Sequence, residues 1–141
     1  SYAREDLAAV QRLKGALDAA GVTTWFDMER LEGGDDYDRK IRRNIERCAF
    51  FVPVVSAATE RRLEAYFRRE WSYALDRTRN MADDALFILP ACSDATDPRG
   101  ARVPDKFKAV HITQIPGGEP PPAFVERLKA LLASRGGEGA P

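Results

Sequence analysis

The chain has 141 residues, 44% hydrophobic and 31% charged, and its 22 basic and 22 acidic side chains give a formal net charge of zero. That length makes one domain able to bury a core without disulfides or a structural metal, and the balanced charge disfavours a dedicated nucleic-acid binder, which carries a basic excess. No apolar run approaches the about 18 residues of a membrane span; Cys48 and Cys92, far apart, read as free thiols of a reduced cytoplasmic protein, and the single His111 leaves no cluster of metal-ligand spacing.

Residues 4–20 place Leu7, Val10, Leu13, Ala16 and Leu17 on one face, which predicts a helix closed by Gly21. Val22, Thr23, Thr24, Trp25 and Phe26 are β-branched or aromatic and read as a strand. A polar loop over residues 27–36 is broken by Gly33-Gly34, and Asp35 or Asp36 is placed to cap a helix over residues 37–47. Ala49-Phe50-Phe51-Val52-Pro53-Val54-Val55 is almost unbroken apolar sequence, as in a strand buried on both faces of a parallel sheet. Ser56 opens a small-residue loop. From about residue 60 to residue 81 there is no Gly or Pro, and Leu63, Tyr66, Phe67, Trp71, Ala74 and Leu75 recur three and four apart, which predicts one amphipathic helix. Residues 85–90 read as a second buried strand, 93–104 as a loop and 110–113 as a short strand. A last helix starts at Pro122 or Ala123 with Phe124, Leu128, Leu131 and Leu132 inward, and residues 135–141 read as a tail or the start of a linker.

Within the long helix, Glu70 stands beside Trp71 and four residues after Tyr66, where the apolar stripe meets the polar face. A carboxylate at such an edge can be desolvated and kept for acid–base or charge-stabilising work; the plainer reading is a solvated charge among arginines. Strands alternating with helices imply parallel βαβ units with right-handed crossovers, whose ligands gather beyond the carboxyl ends of the strands. Here those ends are residues 1–4, 26–34 and 56–59.

The order of these pieces resembles the Toll/interleukin-1 receptor (TIR) domain, bacterial type, over residues 1–134. The residues that carry the resemblance are Ser1-Tyr2-Ala3-Arg4-Glu5-Asp6, Gly21, Trp25-Phe26-Asp27, Leu31-Glu32-Gly33-Gly34, Ile41, Ile45, Phe51-Val52-Pro53-Val54-Val55-Ser56, and Arg69-Glu70-Trp71 with Ala74. The resemblance implies an α/β flavodoxin-like three-layer sandwich, a parallel five-stranded sheet with helices on both faces. In that family the first strand is central, and only its last residues stand at Ser1-Tyr2, so a natural chain longer at its N-terminus is expected.

The resemblance also implies two activities. Many bacterial TIR domains cleave NAD⁺ to nicotinamide and ADP-ribose or a cyclic isomer, using a glutamate that aligns with Glu70. On that reading Arg4 meets a phosphate, Trp25 or Phe26 offers an aromatic surface to a base, and Gly33-Gly34 lets the loop backbone open and close. Ser56 lies near the same crevice, though a capping role suits it as well, and Tyr66 keeps an aromatic where several active relatives carry Trp. NAD⁺ is then substrate, and no cofactor or metal is implied. The other activity is homotypic TIR–TIR assembly in signalling, through Glu29, Arg30, Leu31 and Glu32 in the loop and Arg61, Arg62, Arg68 and Arg69 on the helix, with opposite charges suited to head-to-tail packing. Cleavage of NAD⁺ on self-association is the preferred reading and a non-catalytic scaffold the alternative. No G-x-G-x-x-G follows a strand, which argues against a dinucleotide-dependent dehydrogenase.

Overall fold

Two apolar stripes, one from each end of the chain, meet on one face of a parallel sheet, while the aromatic middle covers the other. The computed structural model describes residues 1–25, 35–100 and 102–134. After a 3-10 turn at Arg4–Asp6 comes α1 (Leu7–Ala19), then α2 (Asp35–Arg47), β1 (Val54–Val55), α3 (Ala57–Arg61) and α4 (Tyr66–Thr78). The chain continues with β2 (Ala91–Cys92), α5 (Asp105–Lys108), β3 (Thr113–Gln114) and α6 (Pro122–Ser134). The strands pair in parallel in the order β1-β2-β3, with Val54 opposite Ala91 and Ala91 opposite Thr113. Leu13 and Leu17 of α1 pack with Phe124 and Leu128 of α6 against Leu89 and Ala91. On the other side Ile41 and Ile45 of α2, Phe67 and Trp71 of α4 and Phe107 of α5 close over Phe51, Val55 and Phe87. Helices therefore lie on both faces of the sheet, as expected.

The sheet is shorter than the sequence suggested: three strands are formed among the described residues, not five. The apolar runs at 49–55 and 86–90 are buried or half-buried, with Ala85 exposed, but ladders form only at Val54–Val55, at Ala91–Cys92 just past the second run, and at Thr113–Gln114 at the end of the strand expected over 110–113; an isolated bridge joins Phe51 and Ile88 upstream. Residues 22–25 carry no regular structure. The strand expected over 22–26 is therefore not formed among the described residues: β-branched and aromatic side chains favour extended backbone, but a strand also needs a paired neighbour, and none of 22–25 is in a ladder. Phe26 lies outside the described residues. Gly21 does close α1, at a φ of +84° that glycine adopts without strain. The second helix begins at Asp35, so Asp35 and Asp36 belong to its first turn rather than capping it.

The expected single helix over residues 60–81 is in fact two. Ser56 caps α3 through a reciprocal box with Thr59, and the helix ends after one turn, where Arg62 takes up extended backbone. The carbonyls this break frees are satisfied from within: Arg68 Nη2 donates to Thr59 O at 2.7 Å and its Nε to Arg62 O at 2.7 Å. Leu63, counted in the apolar stripe, sits in the connection instead and is 67% exposed. A short helix between the expected loop at 93–104 and the expected strand at 110–113, α5, buries Phe107 against the indole of Trp71, ring centroids 5.2 Å apart.

Candidate functional site

Glu70 lies in the middle of α4, and the helix turns it inward with Phe67, Trp71 and Ala74. It is only 6% exposed, so the expected position at a solvent edge is corrected to a buried one. Ser1 Oγ donates to Glu70 Oε1 at 3.0 Å. The backbone of Ser1 is itself fixed to the sheet: its nitrogen donates to Val52 O at 3.0 Å, and its carbonyl accepts from Val54 N at 2.8 Å. These staggered bonds are those of a parallel neighbour. The carboxylate is thus held where the first segment of the chain meets β1.

From Ser1 and Glu70 an apolar cavity of about 170 Å³ runs between residues 22–25 and 50–54. Its walls include Leu13 and Leu17 of α1, Phe50 and Val52, and Phe124 and Leu128 of α6. Trp25 also lines it and is 36% exposed. The nearby backbone is anchored to α1 by Lys14, whose Nζ donates to Thr24 Oγ1 at 3.2 Å and to Asp18 Oδ2 at 3.0 Å.

The other expected site residues divide into three groups. Arg4 is exposed in the 3-10 turn that leads into α1. Ser56 is fully buried and is both the α3 cap and a donor to Asp6 Oδ2 at 2.5 Å, so its hydroxyl is engaged within the fold. Tyr66 stands one turn from Glu70 and donates to Asp38 Oδ1 at 2.8 Å. Phe26, Glu29, Arg30, Leu31, Glu32, Gly33 and Gly34 lie outside the described residues.

Among the basic residues expected at an interface, Arg61 is exposed and Arg62 pairs with Glu5 at 3.0 Å. Arg69 reaches Asp38 at 3.5 Å. Arg68 is instead spent inside the molecule, closing α3 and stacking over Trp71 at 5.6 Å.

Polar groups that sequence reading missed sit at the strand ends. Burial pushes the Asp6 carboxyl above its usual range, against the opposing pull of the Ser56 hydrogen bond. Asp94 Oδ2 accepts from the Ala57 amide at 2.9 Å, a second anchor for the start of α3. Asp38, in the first turn of α2, gathers the hydroxyls of Tyr66 and Tyr73. No spacing rule links residues so far apart, and only the packing of α2 on α4 brings them together. Both cysteines are free and buried, and burial raises their thiols above the usual range, which keeps them protonated. Among the described residues no group of three or more His, Cys, Asp or Glu could hold a metal ion, and no helix is long and apolar enough to cross a membrane.

The class these features define is an open parallel α/β domain with a buried carboxylate, not a glycine-rich phosphate loop, beside its strand ends. The TIR domain family matches residues 1–136, and the chain belongs to that family. It is similar to a protein named NAD(+) hydrolase TcpC from Escherichia coli O6:H1, 31% identical over 94 residues. That match takes in 64% of this chain but 28% of the relative, so the chain corresponds to a minor part of that protein.

Proposed function

We propose that this TIR domain cleaves NAD⁺ at the bond between nicotinamide and ribose, with Glu70 as the catalytic carboxylate. The observation that carries the reading is the burial of Glu70, whose carboxylate accepts from Ser1 Oγ where the first segment of the chain meets β1. The name of the E. coli relative supports the same chemistry. Loss of nicotinamide leaves an oxocarbenium-like ribose, and a fixed anion in a water-poor site stabilises that charge more than water does. Nicotinamide departs as a neutral molecule, so the scheme needs no general acid. Trp25 in the cavity lining offers a face for stacking a base, and Arg4 a charge for a phosphate.

At about 170 Å³ the cavity is smaller than the roughly 300–1,000 Å³ of small-molecule sites. A dinucleotide therefore needs further walls, which a second copy of the domain would supply. Activity is then expected to rise faster than linearly with protein concentration. The assay is nicotinamide release across a concentration series; a folded, self-associating domain that releases none at any concentration overturns the reading. That outcome would favour the homotypic scaffold, to which the exposed Leu63 between Arg62 and Glu64 is the pointer.

A further inference from the structure

We propose that Asp38 is a positioning residue for the Glu70 site, acting through Tyr66 and Tyr73; the proposal rests on the NAD⁺-cleaving reading above. Asp38 Oδ1 accepts from Tyr66 Oη at 2.8 Å, and both its carboxylate oxygens lie 2.7 Å from Tyr73 Oη. Tyr66 and Tyr73 stand four residues before and three residues after Glu70 in α4, so all three share one helical face. One carboxylate on α2 therefore grips α4 on both sides of the catalytic position. Arg69 closes the group, 3.5 Å from Asp38 and stacked over the Tyr66 ring at 5.5 Å. Arg42 covers the Tyr73 ring at 5.1 Å.

An exposed ion pair in this place would contribute little order. Phenol-to-carboxylate bonds are short, directional and strengthened by the charge. The titration of both partners agrees with that description. The Tyr73 hydrogen bond, foremost, holds the Asp38 carboxyl below its usual range, while burial and then the Asp38 bond push both phenols up. Because Asp38 stands in the first turn of α2, it also fixes the start of α2 against the face of α4 that carries Glu70. Displacing a catalytic group by about 1 Å can cost on the order of 100-fold in rate.

The test measures nicotinamide release by wild type, Asp38→Ala and Asp38→Asn, each at a temperature where circular dichroism shows it fully folded. Asp38→Ala is expected to lose roughly 10- to 100-fold in kcat with KM for NAD⁺ within about threefold. Asp38→Asn keeps an acceptor of the same shape and is expected to recover most of that loss. Tyr73→Phe removes one donor without touching charge; it should show part of the same kcat loss, and it decides the matter if Asp38→Ala does not fold. A wild-type kcat in the folded variants, whatever their melting temperatures, overturns the role of Asp38 and leaves Glu70 standing. A change in KM alone does the same. A wild type that releases no nicotinamide overturns the functional reading itself, and this inference with it.

Discussion

Truncating Trp71 tests the packing that holds Glu70 in place. The indole is 2% exposed and lies between Phe67, centroid 5.0 Å away, and Phe107 at 5.2 Å. Trp71→Ala leaves a large cavity and deletes both aromatic contacts, for which core truncations of this size cost about 3–5 kcal/mol. Each lost aromatic pair accounts for about 0.5–1.5 kcal/mol of that. At roughly 2–4 °C per kcal/mol for a domain of this order, the melting temperature should fall by about 6–20 °C. Trp71 Nε1 is buried with no hydrogen-bond partner among the described residues, a cost the folded state already carries. Trp71→Phe removes that donor while keeping a ring between Phe67 and Phe107, so its cost should stay within about 1–2 kcal/mol. Thermal melts followed by circular dichroism distinguish the cases. An alanine variant melting with wild type would mean that Trp71 is not core. A phenylalanine variant as unstable as the alanine one would mean that the N–H is satisfied and that the indole is specifically required.

Gly118 has a φ of +94°, and a Cβ there would lie 1.9 Å from Ala9 O, so Gly118→Ala should destabilise by at least about 2 kcal/mol in a denaturant titration. Gly15, inside α1 with nothing within 4 Å of its would-be Cβ, should respond in the opposite sense, Gly15→Ala gaining about 0.5–1 kcal/mol. Asp6 has a carboxyl raised by burial, so its contribution is fully present below the usual carboxylate range and is lost as pH rises through the raised folded value. Asp6→Asn keeps an acceptor for Ser56 and should therefore melt higher than wild type at neutral pH, the gain fading as pH falls below that range; a gain that grows on acidification would contradict the burial argument.

The helices were the legible part of this sequence because their signals are local. Gly21 closes α1 where its position predicted, and Phe124 and Leu128 turn inward from α6 as their spacing required. The split between α3 and α4 was hidden because Leu63 continues the three-and-four spacing of Tyr66, Phe67 and Trp71. The sign that was available is Ser56-x-x-Thr59, whose two hydroxyls close a box at the start of a short helix. Strands were over-extended because an apolar run reports burial, not pairing: Phe51, Pro53 and residues 87–90 are sequestered, but the continuous ladders are short. Glu70 could be picked out as a candidate from its neighbours, yet its burial could not, since it depends on Ser1 and β1 closing over the helix. Asp38 left no trace in the sequence at all. Its tyrosine partners lie 28 and 35 residues away, and one of three acidic residues in a first helical turn reads as ordinary dipole complementation.

The most direct measurement of the central claim compares nicotinamide release from NAD⁺ by the concentrated wild-type domain and by Glu70→Gln, which keeps the shape of the side chain and an acceptor for Ser1 Oγ while removing the charge. The account predicts a folded variant whose release falls by at least about 100-fold, the scale on which a preorganised charge at a transition state is felt. A variant turning over NAD⁺ at the wild-type rate would contradict it.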